Sequence, residues 1–249
     1  MIAQKKINNQ KPKIALLSPL SPLLGGMVQL AETLYENYRK EGYKVNRLQL
    51  GSGLQGLLPL PYLYFNFIIT ILRNDIIHII SASGNALWLK DLPAILFARL
   101  FNKKVILNFV GGMAIEKFKE WPWYKRLPFK LANCVVVPTN VLKENICSKL
   151  DNSRIKVIPN AVDVDIFLNN NDCEKVAQPI LIAAKGLEEY AGFELLLDIF
   201  KLVKRQIPNV QFWIAGTGSM EDNLRLKIKN EKIKDATLLG NVDHLKMPN

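Results

Sequence analysis

The 249 residues contain three cysteines and two histidines. Cys134, Cys147 and Cys173 form no CxxC pair, and His78 and His244 lie far apart, which argues against a disulfide framework and against a zinc site. A reducing, cytoplasmic compartment is expected. Long apolar runs are also missing. The longest, Leu54 to Leu72, is interrupted by Gly56, Pro59 and Pro61. Only Tyr62 to Leu72 is free of breakers, short of the roughly 20 apolar residues that cross a bilayer, so a buried helix is expected there. Met1 to Pro12 is polar and basic with no apolar core segment, and reads as a flexible tail rather than a secretory signal. No GxxxxGK[ST] phosphate loop occurs, and neither Gly25-Gly26 nor Gly216-Thr-Gly218 fits the dinucleotide fingerprint GxGxxG. No zinc-finger, RRM-like or basic-zipper motif points to nucleic acid.

What is present is a basic first part and a strand–helix alternation. Residues 1–170 hold 22 Lys and Arg against 11 Asp and Glu, and residues 171–249 hold 11 against 11, so the whole net charge of +11 sits before residue 171. Solvated lysine faces account for this, and so does attraction to an anionic membrane or a phosphorylated acceptor. Strands are expected at 13–18, 43–50, 75–81, 104–109, 134–138 and 155–159. Helices are expected at 27–42, about 60–73, 86–101, 127–132 and 140–150. Strands alternating with helices, most of the strands unbrokenly apolar and 43–50 alternating, mean a parallel sheet covered on both faces. Asn169-Asn-Asn-Asp172 begins a polar linker, 169–178, after which the alternation restarts with strands at 179–184 and 212–215 around one helix. The fold class is therefore α/β: two tandem doubly wound Rossmann-like domains, 13–168 and 179–249. Two strands and a helix leave the second domain incomplete.

In such sheets ligands gather at the carboxyl ends of the strands, where a glycine lets backbone approach a phosphate. Gly25-Gly26, Gly111-Gly112 and Gly216-Thr-Gly218 stand at such ends. Taken singly, any one of them is better explained as a tight turn.

Taken in order, these segments resemble the retaining GT-B glycosyltransferases of family 4. Gly25-Gly26 with Leu30-Ala31 is similar to that family's first glycine-rich loop. Ile158-Pro-Asn-Ala-Val-Asp163 with Phe167 is similar to its I-P-N-x-V-D-x-x-x-F segment, the most specific match. Ile207 to Gly218 resembles P-x-x-x-L-x-I-x-G-x-G, and Leu239 to Pro248 resembles the piece that follows. The resemblance implies transfer of a sugar from a nucleotide-sugar donor, a substrate rather than a cofactor, to a hydroxyl of a glycan or lipid-linked acceptor. It implies a retained anomeric configuration and no metal. The first domain would take the acceptor and the second the donor. A position at the inner face of a membrane is expected, with the aromatic and basic turn Trp121-Pro-Trp123-Tyr124-Lys-Arg126 toward the lipid. That turn reads equally as core aromatics beside solvated charges.

The chain also departs from the family pattern. Where the family shows G-R-L-x-x-x-K-G, this chain has Lys185-Gly-Leu-Glu-Glu-Tyr-Ala-Gly192, which puts Gly186 and Ala191 at the Arg and Lys positions. In the R-N-x-E-x-x-Y-G version of the segment, Lys185 takes the Arg position and is the candidate catalytic cation, a point charge rather than a bidentate fork, or else a solvated loop lysine. Val110 stands where many members carry His before Gly111-Gly112. His78, in a segment like the family's H-x-H-x-S, is a candidate acceptor-side or catalytic residue together with Ser81, or a structural histidine. Gly25, Gly26, Gly186, Gly216 and Gly218 are the candidate donor and phosphate glycines. The family's E-x7-E segment is expected beyond residue 249, so this stretch would be a carboxyl-terminally truncated piece. The alternative is an inactive remnant or a non-catalytic binding subunit. An epimerase of the related two-domain fold has no motif here.

Overall fold

A computed structural model describes residues 11–19, 26–50, 60–84, 87–111, 118–147, 152–162, 164 and 178–242. The chain forms two compact units, Met1–Val162 and Asp163–Asn249.

Unit 1 is a six-stranded parallel sheet in the order β2-β1-β3-β4-β5-β6. Its strands are β1 (Ile14–Pro19), β2 (Val45–Leu50), β3 (Ile76–Ser81), β4 (Lys104–Phe109), β5 (Cys134–Val137) and β6 (Ile155–Val157). Every pairing is parallel, as the mostly apolar inner strands imply, while the edge strands β2 and β6 carry polar residues. Side chains alternate across the sheet. Ala15, Leu17, Ile77, Ile79, Val105 and Leu107 enter the main core beneath helices α2 (Leu60–Arg73) and α3 (Leu92–Leu100). Leu16 and Ile80 face the other way, onto Leu30 and Ala31 of α1 (Gly26–Lys40). On that side Arg47 of β2 grips Glu32 of α1 through two parallel bonds of 2.6 Å. A lysine cannot form this fork, so Arg47→Lys is expected to cost about 1 kcal/mol in a urea titration, the upper end for a half-exposed pair.

Helix α4 spans Trp123–Leu131. It begins a full turn before the expected residue 127, at Pro122 as N-cap, and tolerates Pro128 inside it at the cost of one backbone hydrogen bond and crowding of the carbonyl four residues earlier. Trp121 packs into the core beside Phe109, Phe118 and Phe129, while Trp123 is 68% exposed, so the aromatic turn is core on one side and solvated on the other. Helix α5 (Asn140–Cys147) covers β5 and β6 with Leu142 and Ile146. The expected 86–101 helix is α3 preceded by a π-helical turn, Leu87–Asp91. Cys134 is a free thiol.

Unit 2 has three parallel strands, not two, in the order β7 (Ile180–Ala184), β8 (Gln211–Ala215) and β9 (Ala236–Gly240). Helices α6 (Phe193–Gln206) and α7 (Glu221–Asn230) complete it. The extra strand Ala236-Thr-Leu-Leu-Gly240 follows the lysine-rich stretch 227–234, whose charge hides the end of α7 and the turn into β9 in the sequence. Leu197, Phe200, Phe212, Ile214 and Leu224 form the core between helices and sheet. Phe200 and Phe212 meet ring to ring at 5.3 Å.

Candidate functional site

In unit 1 the strand order reverses between β1 and β3, so the crevice outside their carboxyl ends is where an open α/β sheet binds ligands. The residues expected at that edge divide between the two sheet faces. His78 lies in mid-strand on the α1 face, paired in register with Leu16 and Ile106. It is buried, and its Nδ1 lies 2.9 Å from the Tyr38 hydroxyl of α1. Burial, and then the neighbouring Tyr43, raise the Tyr38 pKa, so the phenol stays protonated and can donate to Nδ1. The ring proton is then on Nε2, which is buried without a partner among the described residues. Burial pushes the imidazole pKa down to about 4, so His78 is neutral at physiological pH.

Ser81, three residues on, faces the opposite side. Its hydroxyl donates to Asp91 Oδ2 at 2.5 Å, and both residues are buried. His78 and Ser81 are thus not brought together. Asp91 escapes a reading of the sequence. Standing before Leu92-Pro93, it has the look of an ordinary helix start. It does occupy the N-cap of α3, but its side chain makes no cap bond and goes to Ser81 instead. Burial outweighs the Ser81 hydrogen bond and the nearby Lys90 and raises the Asp91 pKa to about 7.

The glycines differ in what they do. Gly26 is the exposed first residue of α1, with no atom within 4 Å of the place a Cβ would take, while Gly25 and Gly112 lie outside the described residues. Gly111 is sterically required, because a Cβ there would lie 2.4 Å from the Ser83 backbone nitrogen. The loops after β3 and β4 therefore nest against each other, joined by the Val110 N–H donating to the Ser81 carbonyl at 2.9 Å. At the same carboxyl edge the Ser18 hydroxyl is buried with no partner among the described residues. Gly51-Ser-Gly-Leu-Gln-Gly56 also matches GxGxxG, in addition to the glycine loops singled out above. It follows the edge strand β2, away from the reversal point, and lies outside the described residues.

In unit 2 the carboxyl ends of all three strands are laced together. The Lys185 N–H donates to the Ala215 carbonyl at 3.0 Å, Leu187 to Thr217 at 3.0 Å, and Gly216 to Gly240 at 2.7 Å. Gly216 has φ +145, and a Cβ on it would lie 2.0 Å from the Lys185 carbonyl oxygen; one on Gly218 would lie 2.4 Å from that of Leu187. Gly186 is open, with no atom nearer than 3.9 Å to such a Cβ. Lys185 is exposed, and its ammonium lies 5.3 Å from the Tyr190 ring centroid. A cavity of about 490 Å³ lies at the start of α6, lined by Glu188, Glu189, Glu194, Gly192 and Met220 among others. Ser219 donates to Glu188 at 2.9 Å. Three carboxylates make that cavity a poor home for a phosphate and a good one for hydroxyl donors. Among the described residues no group of three or more His, Cys, Asp or Glu is placed to hold a metal ion, and no helix is long and apolar enough to cross a membrane.

Residues 31–166 match the family model described as Glycosyltransferase Family 4, and residues 169–248 match Glycosyl transferases group 1. A curated Arabidopsis thaliana protein, one of the subunits of phosphatidylinositol N-acetylglucosaminyltransferase, is 25% identical over 196 residues, which is 77% of this chain and 44% of that protein. The chain thus spans less than half the length of that curated relative. Among solved structures, Anabaena HepE in complex with UDP and glucose aligns with a TM-score of 0.63 at 13% identity, covering 93% of this chain and 70% of that one. UDP-GlcNAc 2-epimerase from Neisseria meningitidis, bound to UDP-GlcNAc, aligns at 0.59 with 14% identity over 95% and 74% of the two chains. Both likenesses are of fold, the paired Rossmann-like architecture of GT-B enzymes. With one model spanning more than half of its residues and the group 1 model continuing almost to its end, the chain belongs to glycosyltransferase family 4.

Proposed function

We propose that this chain provides the acceptor-side unit and the first part of the donor-side unit of a glycosyltransferase that moves a sugar from a nucleoside diphosphate to a hydroxyl. The observation that carries this reading is the succession of the two family models over residues 31–248, in the order that sets an acceptor unit before a donor unit. The Arabidopsis relative named for N-acetylglucosaminyl transfer to phosphatidylinositol supports a lipid-linked acceptor. The UDP held by HepE supports a uridine donor.

As the sugar leaves, negative charge grows on the diphosphate, and fixed donors at that point lower the barrier. The loops of Lys185-Gly186 and Gly216–Gly218 are the candidate diphosphate cradle, because there the backbone is rigid and Lys185 supplies positive charge. The carboxylates of Glu188, Glu189 and Glu194 suit sugar hydroxyls. His78, neutral, buried in mid-strand and tied to Tyr38 in the last turn of α1, serves in this reading as a structural histidine of the acceptor unit. Ser81, Gly111 and Gly112 shape the acceptor edge. Reaction with retention and without a metal completes the proposal, as does a peripheral place on a membrane. A binding protein without catalysis is the second reading, favoured by Gly186 and Ala191 where the family has Arg and Lys.

The test is the thermal midpoint of the purified chain with UDP-, GDP- and ADP-sugars. A ligand bound only by the folded state raises it by mass action. UDP-sugars are expected to raise it, and Lys185→Ala is expected to weaken their binding about tenfold, the loss of one charge-assisted contact. A midpoint unmoved by every nucleotide sugar refutes donor binding by this chain.

A further inference from the structure

We propose that the outward faces of α2 and α3, together with the amino-terminal edge of the unit 1 sheet, form a docking surface for an anionic lipid bilayer. The inference sharpens the membrane part of the reading above and places the contact away from the aromatic turn at 121–126.

Two observations coincide there. The first is an apolar stripe. Phe65 and Leu72 stand seven residues apart on α2, and Leu89, Leu96 and Leu100 repeat at seven and four on the π-turn and α3, so each set shares one helix face. All five are exposed, Phe65 by 62% and Leu100 by 74%. The two helices pack side by side, which makes the two sets one surface. The second observation is charge. At the carboxyl ends of these helices the stripe runs into an open groove of about 840 Å³ lined by Lys11, Lys13, Lys44 and Arg73. Lys103 joins them, its ammonium donating to the Leu72 carbonyl at 3.1 Å, and Lys104 follows it at the start of β4. The carboxylate lining the groove, Asp75, already accepts the Lys13 backbone N–H at 2.8 Å.

Apolar side chains that end in a ring of lysines are the chemistry of a headgroup boundary, where Leu and Phe enter the acyl region and ammonium groups meet lipid phosphates. A nucleic acid would use the cations but leave Leu89, Leu96 and Leu100 without a role. A second copy of the chain would cover the stripe but set like charges against each other.

Cosedimentation of the purified chain with phosphatidylcholine vesicles containing about 30% phosphatidylglycerol tests this, since surface charge of that kind draws basic segments. Binding is expected at about 0.1 M salt, with at least a roughly tenfold loss in partition coefficient on pure phosphatidylcholine or in about 0.5 M salt. The double variants L96S/L100S and K13E/K44E are each expected to lose roughly tenfold, and W123S less than about twofold. The altered side chains are exposed or lie at the sheet edge, and an unchanged far-ultraviolet dichroism spectrum identifies the variants that fold. The proposal is overturned by absence of binding to the anionic vesicles, by folded variants that bind like the wild type, by loss confined to W123S, or by a dimer in sedimentation that L96S/L100S dissolves. Vesicle binding needs no nucleotide, and donor binding needs no lipid, so failure here leaves the donor reading standing and the reverse holds too.

Discussion

Gly216→Ala is expected to destabilise unit 2 by about 2–6 kcal/mol, a large share of what a small domain has. Two costs add. A φ of +145 belongs almost wholly to glycine and costs other residues about 1–3 kcal/mol. The new methyl would lie 2.0 Å from the Lys185 carbonyl oxygen, and relief needs a backbone shift in a loop that the Lys185 and Gly216 amides both hold in place. Overpacking of that kind costs about 1–3 kcal/mol more. The control is Gly186→Ala, one residue beyond the oxygen that Gly216 abuts. Its methyl meets nothing nearer than 3.9 Å, so a change below about 0.5 kcal/mol is expected. Trp213 is the sole tryptophan after residue 163 and reports on β8 in a urea titration. Equal midpoints for the two variants would refute the nested-loop account.

The second large effect is a cancellation that single substitutions uncover. His78, shifted from 6.5 to about 4, is neutral in the fold while the unfolded chain takes up a proton. Its contribution is fully present above pH 6.5 and is lost as pH falls through about 4. Asp91, shifted from 3.8 to about 7, behaves oppositely: the fold holds the proton, so its contribution is present below pH 3.8 and is lost as pH rises through about 7. Each slope is about 1.4 kcal/mol per pH unit, so between about pH 4 and 6.5 they offset each other. Relative to the wild type, Asp91→Asn should gain roughly 3 kcal/mol on going from about pH 4 to 6.5, while His78→Asn should lose about as much. Asparagine at 91 keeps an acceptor for Ser81. Taking differences from the wild type removes the exposed carboxylates, among them Asp198, whose pKa Lys201 and Lys227 lower. Parallel profiles for all three proteins would mean that neither group titrates as its burial dictates.

The strands of unit 1 were legible because a strand buried on both faces must be apolar throughout, as in Ile76-Ile-His-Ile-Ile-Ser81 and Cys134-Val-Val-Val137. Strand β9 was not legible, since its one-sided burial dilutes the signal and it follows a run of lysines. The glycines marked the right loops but not their reasons. A glycine forced by close backbone approach, such as Gly111, Gly216 or Gly218, looks the same in sequence as an unconstrained one such as Gly26 or Gly186. The Ser81–Asp91 bond escaped because ten residues and a π-turn separate its partners, and no periodicity links them.

The strand order of unit 1 also bears on how the chain reaches its fold. β1 lies between β2 and β3, and its pairing with β3 sets Ile14 against Ile76 across 62 residues that include two helices and another strand. Closing so long a stretch is entropically costly before any contact repays it. On a ribosome that adds residues from the amino end, β3 is made last of these three, so β1 and β2 must wait with one edge of their ladder unfilled until it arrives. Once there, β3 is flanked on both sides by β1 and β4. The strand that carries His78 and Ser81 is therefore the last of the first three to arrive, the one on which β4 then pairs, and a central member of the sheet afterwards.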